Sequence, residues 1–374
     1  MSAAAVLFPL TLAAVSKLAA EETKWPAAAI RDPLGLPPVP YPERNPPTPE
    51  KIALGAKLFS DPRLSIDGTM SCASCHDPAH AFTTAKPPVR DPKIADTRLR
   101  RDVPSLLNVA YATPLHHDGG EPTLEVQMLA PLFNAAEMGN TTFEDLTNRL
   151  AAISEYRDQF EHDFHRPPTI ETLGEVLAAY ERSLVAGNAL FDRWRRANEP
   201  MFGELAKLRA KATGEDINLS DTAQQGFSLF TGKAGCVTCH QIANSTEAIF
   251  TTNEFVNTGI GFQSEARRAA ETPSAPSDRG REEVTHSLED RYKFRTPTLR
   301  NVELTAPYMH DGSIKTLEDV IAYYNAGGSA GPEKDPRIKP LGLTQAERAQ
   351  LRAFLLSLTS DTLPAPVSGR ATTR

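Results

Sequence analysis

The sequence has no run of basic residues, and its formal net charge is −7. Nothing in it therefore suggests a nucleic-acid-binding groove. Beyond the first twenty residues, no apolar stretch is long enough to cross a membrane. Few segments alternate between apolar and polar residues as strands do. We therefore expect a mainly α protein with little β structure.

The N-terminal residues form the one apolar stretch of note. The stretch from Ala3 to Val15 is apolar, but it is too short for a membrane-spanning helix. Small residues follow it up to Ala20. We expect residues 1–20 to be a signal peptide, with an uncleaved amphipathic anchor as the alternative because a basic start is missing. A dense run of prolines then predicts an extended lead over residues 21–48.

Cysteine is scarce, and all four cysteines fall in two Cys-x-x-Cys-His motifs. The motifs are Cys72, Cys75 and His76, and Cys236, Cys239 and His240. Two thiols at this spacing add to the vinyl groups of a c-type haem, and the adjacent imidazole binds the iron. Structural zinc is disfavoured because the two pairs lie far apart and each carries the extra histidine. We expect two covalently bound haem c groups and maturation outside the cytoplasm.

The surroundings of the two motifs are repeated. Pro104–Glu125 aligns with Pro297–Glu318 at a constant offset of 193 residues, and both segments end in Pro-x-x-His-Asp-Gly-x-x-x-Thr-Leu-Glu. This repeat predicts two cytochrome c-like haem domains related by internal duplication, over residues 49–212 and 213–374.

Capping signals predict where several helices begin. Helices are expected after Thr48, after Ser220 and after Thr344, the last with a capping box. Between the two halves, Thr169–Gly187 has apolar residues at helical spacing. The polar, proline-bearing segment Glu265–Glu283 is expected to be a surface loop.

The two copies differ on the helix that follows the repeated phrase. In the second copy, Tyr324 shares the apolar face that should point toward the haem, and tyrosine can bind haem iron. The position 193 residues earlier is Pro131, which has no ligating group. We therefore predict one haem with two protein ligands, suited to electron transfer, and one haem with an open face that can bind a small molecule.

Two polar residues are expected beside that open face. Gln127 shares a helical face with Pro131, and Glu137 follows in a turn-like stretch. A carboxylate there could take the proton from the near oxygen of hydrogen peroxide and deliver it to the departing one, while Gln127 orients the molecule. The alternatives are that Gln127 is merely buried and hydrogen-bonded, and that Glu137 caps a local turn.

Several motifs together resemble the bacterial di-haem cytochrome c peroxidase family, including its MauG-like branch. They are the two haem motifs, PSLLN, HDGGEPTLEVQ with EMG, FRTPTLRN and APYMHDG. The resemblance implies a peroxide site at the N-terminal haem, electron transfer through the C-terminal haem, and distal residues matching Gln127 and Glu137. It also implies a calcium ion between the haems, with ligands matching Asp102, Thr305 and the backbone oxygen of Pro307.

The sequence departs from the family pattern at three places. Thr83–Arg101 lacks the histidine that reductively activated peroxidases place there, and Tyr324 stands where methionine is usual. Both departures match the MauG-like branch, and Met309 is the alternative ligand. His117 stands between the haems where the family usually has tryptophan, which puts haem-to-haem coupling at that point in doubt.

The expected function is a periplasmic enzyme that reacts with hydrogen peroxide and exchanges electrons with a small cytochrome c or cupredoxin. One alternative is a MauG-like oxidase that modifies residues of a partner protein. The other is a di-haem electron carrier without peroxidase activity, in which His116 or His80 would bind the first iron.

Overall fold

The computed structural model describes residues 34–84, 100–244, 246–271 and 277–364. The predicted signal peptide, residues 1–20, lies outside these residues. Within them the chain is mainly helical with little sheet, as predicted. The α-helices are α1 Pro49–Phe59, α2 Leu124–Gln127, α3 Leu129–Phe133, α4 Phe143–Ala152, α5 Ser154–Phe164, α6 Ile170–Ser183, α7 Leu190–Ala197, α8 Gly203–Thr213, α9 Asp221–Thr231, α10 Ile260–Glu271, α11 Glu282–Thr285, α12 Leu317–Asn325 and α13 Gln345–Leu356.

In the described residues, two short strands form one antiparallel sheet. Its strands are β1 Phe255–Val256 and β2 Phe294–Arg295, and Phe255 pairs with Arg295. None of the described helices has the length and hydropathy that a membrane-spanning helix requires.

The predicted helix caps are present. The Thr48 hydroxyl accepts a hydrogen bond from the Lys51 amide, and the Ser220 side chain accepts one from the Ala223 amide. Thr344 forms its capping box at the start of α13. Because each cap satisfies an amide that the helix itself leaves unpaired, these polar residues fix where the helices begin.

In each half, two long helices cross with their backbones in contact at a glycine. A Cβ atom on Gly55 of α1 would lie 2.0 Å from the carbonyl oxygen of Val176 in α6. A Cβ atom on Gly226 of α9 would lie 2.0 Å from the carbonyl oxygen of Gln350 in α13. Any larger residue would force the helices apart, so glycine sets the separation of both pairs.

Aromatic side chains fill the core of the second half. Phe191 of α7 lies 5.2 Å from Phe354 and 5.8 Å from Phe250, and Phe230 lies 5.0 Å from Phe354, measured between ring centroids. Because α7 lies within residues 49–212, the predicted N-terminal domain contributes directly to this core.

The described part of the proline-rich lead, residues 34–48, contains no helix or strand. Near its start, the carbonyl oxygen of Gly35 accepts hydrogen bonds from the Ala248 amide, at 2.8 Å, and from the Arg300 guanidinium. Near its end, the Asn45 amide donates to Glu125 at 3.0 Å. The lead therefore contacts residues of both halves.

The prediction of a surface loop over Glu265–Glu283 is wrong at both ends, since Glu282 and Glu283 begin helix α11 and the first residues belong to a longer helix. Residues up to Glu271 belong to helix α10, whose Ile260 and Ser264 are buried. The stretch is rich in alanine, glutamate and arginine, which are strong helix formers, and the prediction gave too much weight to the prolines that follow.

Candidate functional site: two haem sites

Both Cys-x-x-Cys-His motifs fold alike. The Nδ1 atom of His76 lies 3.1 Å from the carbonyl oxygen of Phe82, and that of His240 lies 3.0 Å from the carbonyl oxygen of Phe250. A proton on Nδ1 leaves the Nε2 lone pair free for a metal. Burial lowers the pKa of His76 to about 4 and also lowers that of His240. Both rings are therefore neutral near pH 7, the form that binds iron.

A cavity of about 370 Å³ lies beside the second motif, a size ordinary for a cofactor site. His240, Tyr324 and Met309 all line it, so both candidate ligands border the same space. Burial raises the pKa of Tyr324, and nearby Tyr323 and the two motif cysteines raise it further. Tyr324 and the two haem-attachment cysteines, Cys236 and Cys239, line the same cavity.

Arg295 provides a test of whether this cavity suits a haem. Its Nε atom donates to the carbonyl oxygen of His116 at 3.2 Å, and its Nη1 atom donates to Asn253 Oδ1 at 3.1 Å. Within the described ranges it forms no ion pair, and burial lowers its pKa to about 10. A cation withdrawn from water without an anionic partner fits the carboxylate of a haem propionate. The residues that line this cavity therefore fit a haem, which is the group that the Cys-x-x-Cys-His motif implies.

The predicted distal residues lie on the first half. Gln127 ends helix α2, Met128 separates the two helices with helical dihedral angles, and Pro131 lies in α3. Glu137 lies in a turn, as predicted, with its amide bonded to the carbonyl oxygen of Asn134 at 3.0 Å.

The charge of Glu137 acts on a cysteine of the first haem motif. Burial raises the pKa of the Glu137 carboxyl. Burial, and next the charge of Glu137, raise the pKa of the Cys75 thiol to about 11. The charge of Glu137 therefore acts on a thiol of the first haem motif, and its buried carboxyl holds a proton more strongly than an exposed glutamate does.

His117, at the position where the family usually has tryptophan, is held by the backbone. His117 is bonded through Nε2 to the carbonyl oxygen of Asp102 at 3.0 Å, and the Asp102 amide donates to the carbonyl oxygen of His310 at 2.7 Å. His310 stacks on Phe294 with ring centroids 3.6 Å apart. Burial lowers the pKa of His117 to about 3 and that of His310 to about 4, so both stay neutral. Sequence reasoning missed Phe294, although its FRTPTLRN motif was noticed.

The residues matched to a calcium site come together in part. Asp102, Thr305 and Pro307 all line the cavity, and a Cβ atom on Gly312 would lie 3.1 Å from Pro307 Cγ and 3.2 Å from Asp102 Cγ. Burial raises the pKa of Asp102 to about 6, while the Val103 amide and Lys315 act in the opposite direction. Burial disfavours the ionised form of this carboxyl, and a bound cation would stabilise that form. Calcium therefore stays a prediction, and these residues are compatible with it.

Similarity to known proteins extends over most of the chain. Residues 49–200 match the family model described as di-haem cytochrome c peroxidase. The chain is 35% identical to the methylamine utilization protein MauG of Methylorubrum extorquens over 325 residues, which are 86% of this chain and 82% of that protein. It is 36% identical to cytochrome-c peroxidase IdrP1 of Denitromonas iodatirespirans in an alignment of 380 positions, gaps included, that covers 93% of this chain and 91% of that protein.

A solved structure gives the same result. The crystal structure of a MauG-like protein associated with microbial copper homeostasis superposes with a TM-score of 0.67 at 30% identity, and the match covers 90% of this chain and 96% of that chain. Because these matches extend well past the length of either half, the similarity is not confined to one haem motif. The chain therefore belongs to the di-haem cytochrome c peroxidase family, with MauG proteins among its relatives, and it is an oxidoreductase of the cytochrome-c peroxidase type.

Proposed function

We propose that this protein reacts with hydrogen peroxide at its N-terminal haem and passes electrons through its C-terminal haem. The observation that carries the proposal is the contrast between equivalent positions of the two repeats. Tyr324 lies on helix α12 beside the second haem motif, whereas the matching position in the first half is Pro131 on α3. A phenol oxygen can bind haem iron, whereas a proline side chain has no group that could do so.

Haem iron, when bound, supplies a coordination position for peroxide at the first site. Glu137 then serves as the proton carrier, moving a proton from one peroxide oxygen to the other. Its raised pKa suits that role, because a general acid–base group works best when its pKa is close to the working pH. Gln127 holds the peroxide by a hydrogen bond from its amide.

The proposal includes two cytochrome c-like haem domains, residues 49–212 and 213–374, that arose by duplication. The glycine-centred helix crossings at Gly55 and Gly226 support it. So does the shared hydrogen bond from each motif histidine to the carbonyl oxygen of a phenylalanine in the left-handed region.

We further propose a periplasmic location and a calcium ion held by Asp102, Thr305 and Pro307. Covalent haem attachment outside the cytoplasm and the signal-peptide-like N-terminus favour the location. The electron donor would be a small cytochrome c or cupredoxin.

A second candidate is a MauG-like oxidase whose substrate is a partner protein. It is favoured by Tyr324, since an oxygen ligand stabilises oxidised iron more than methionine does, and by the similarity to MauG. Steady turnover with reduced cytochrome c would favour the peroxidase. A site-specific mass change in a co-purifying protein would favour the oxidase.

Electron paramagnetic resonance of the resting ferric holoenzyme tests the proposal. We expect one high-spin and one low-spin signal, and we expect one equivalent of peroxide to remove the high-spin signal. Two low-spin signals that do not respond to peroxide would instead identify an electron carrier.

The Glu137→Gln variant tests the proton carrier. It should slow the loss of the high-spin signal by roughly 10²-fold or more, since positioned proton transfer supplies at least that much. Glu144→Gln, which alters an exposed carboxyl on α4, is the matched control and should react at the wild-type rate. An unimpaired Glu137→Gln enzyme would contradict the assignment.

A further inference from the structure

Helix α8 presents a row of apolar side chains to solvent. Met201, just before the helix, is 77% exposed, and Leu205 and Leu208 within it are 68% and 66% exposed. The row continues to Ala212, which is also exposed. A single exposed apolar residue is ordinary on a protein surface, whereas several large ones in a row mark a surface that another molecule covers.

The spacing of this row is that of a coiled-coil seam. Its members are four, three and four positions apart, so Leu205 takes position a and Leu208 takes position d of a heptad. The f positions, on the opposite side of the helix, are Gly203 and Ala210, and both are buried. A Cβ atom on Gly203 would lie 2.6 Å from the carbonyl oxygen of Ala197 in α7. One face of α8 is therefore packed on its own protein, and the opposite face carries the seam.

We propose that α8 pairs with α8 of a second copy of this chain, in antiparallel orientation, so that the protein forms a two-fold symmetric dimer. Leu205 of one copy then meets Leu208 of the other, and Met201 meets Ala212. A large residue thus faces a small one at each end of the seam. A parallel pair would set Ala212 against Ala212, which leaves a gap, and would place like ends of the two helix dipoles together.

The residues that flank the seam are complementary to each other in this arrangement. The g positions are Glu204 and Lys211, and in an antiparallel pair the g positions of the two helices lie side by side. Each copy therefore places a carboxylate beside an ammonium of the other copy, twice by symmetry. The e positions are Phe202 and Arg209, whose side chains suit a cation–π contact across the pair.

Contacts within the chain leave these flanking groups accessible. Glu204 accepts a hydrogen bond from Lys207 of the same helix at 2.8 Å, yet its side chain is 87% exposed. The guanidinium of Arg196 lies 4.8 Å from the centroid of the Phe202 ring, and that residue is still 43% exposed. A carboxylate has two oxygens and an aromatic ring has two faces, so each group has room for a second partner.

The size of the seam predicts a reversible dimer. Stable complexes bury about 800 Å² on each partner, and one short helix with a single seam offers a small surface by comparison. We therefore expect monomer and dimer in equilibrium, with a share of dimer that rises with protein concentration.

Sedimentation velocity of the holoenzyme at increasing concentration tests the proposal. The wild-type particle should grow from one chain to two. Leu208→Glu should raise the dissociation constant of the dimer by roughly 10²-fold or more, because symmetry removes two leucines from the seam and places two carboxylates there. Leu288→Glu is the matched control, since Leu288 is also 66% exposed but lies outside α8, and it should dimerise as the wild type does.

An exchange of charges tests the orientation with the apolar seam intact. Lys211→Glu should raise the dissociation constant roughly 5- to 30-fold, because it sets carboxylates side by side at two symmetric places. Adding Glu204→Lys to that variant puts opposite charges together again and should return the constant to near its wild-type value. In a parallel pair the g position of Glu204 would instead face the e position of Arg209, and the second change would add repulsion.

Three results would overturn the proposal. One is a wild-type holoenzyme that stays monomeric at the highest concentration that remains in solution, which would leave the row to a different partner protein. Another is a dimer that Leu208→Glu leaves intact or that Leu288→Glu weakens equally. The third is a Lys211→Glu variant whose affinity Glu204→Lys fails to restore, which would refute the antiparallel pairing.

Discussion

Replacing Gly55 with alanine should destabilise the protein, although alanine is the better helix former. A Cβ atom there would lie 2.0 Å from the carbonyl oxygen of Val176 and 2.8 Å from Tyr180 Cβ. Favourable contacts between such atoms lie at roughly 3.5 Å or more, so α1 and α6 must separate by more than about 1 Å. Overpacking of this kind costs about 1–3 kcal/mol.

The gain in helix propensity opposes this cost but does not cancel it. Alanine is favoured over glycine inside a helix by roughly 0.8–1 kcal/mol. Because a Cβ atom at 2.0 Å places the cost toward the upper end of its range, the net loss should be up to about 2 kcal/mol. Each kcal/mol lowers the melting temperature by roughly 2–4 °C in a domain of this size. Thermal unfolding of the holoenzyme, followed by circular dichroism, measures the change.

Ala53→Gly is the matched control, because Ala53 lies exposed on the same helix. It reports the cost of a glycine where nothing packs against it. If the crossing imposed no constraint, Gly55→Ala would raise the melting temperature by about as much as Ala53→Gly lowers it. That result would refute the close helix contact. Gly226→Ala, at the equivalent crossing, should behave like Gly55→Ala.

Three further results are expected. Tyr324→Met should raise the reduction potential of the second haem within the roughly 0.8 V range that changes of iron ligand span. Met309→Leu should leave that potential unchanged. A redox titration that shows the reverse would identify Met309 as the ligand. Burial raises the pKa of Glu181 to about 8 from its ordinary 4.5, so the folded protein binds more protons than the unfolded chain between these values. The free energy of unfolding should therefore fall as pH rises through that window, and Glu181→Gln should flatten the dependence measured in thermal melts. A calcium chelator should lower the melting temperature of the wild-type protein but have little effect on Asp102→Ala, and an equal effect on both would remove Asp102 from the site.

Features that depend on neighbouring residues in the chain could be predicted from the sequence. The caps at Thr48, Ser220 and Thr344 are short-range hydrogen bonds, and a few letters suffice to recognise them. The turn at Glu137 was predictable for the same reason. The two haem motifs could also be recognised in the sequence, because covalent haem attachment demands a fixed cysteine and histidine spacing.

Features that depend on tertiary contacts were not predictable in this way. The stacking of Phe294 on His310 joins residues whose proximity comes from the path of the chain around the haem sites. The contact of His116 with Gln127 is of the same kind, since it arises where a left-handed residue turns its ring toward a helix end. Periodicity could place Gln127 on a helical face, but it could not show which side chain lies opposite.

The proline-rich lead has a kinetic consequence for the enzyme. Arg300, only 2% exposed, holds Asp192 through bonds of 2.8 Å and 2.9 Å while it binds the carbonyl oxygen of Gly35. At the other end of the segment, Asn45 is tied to Glu125. A lead that is hydrogen-bonded to both halves restrains their relative movement. If electrons pass between two haem groups as proposed, the rate of that transfer should therefore not depend on solvent viscosity.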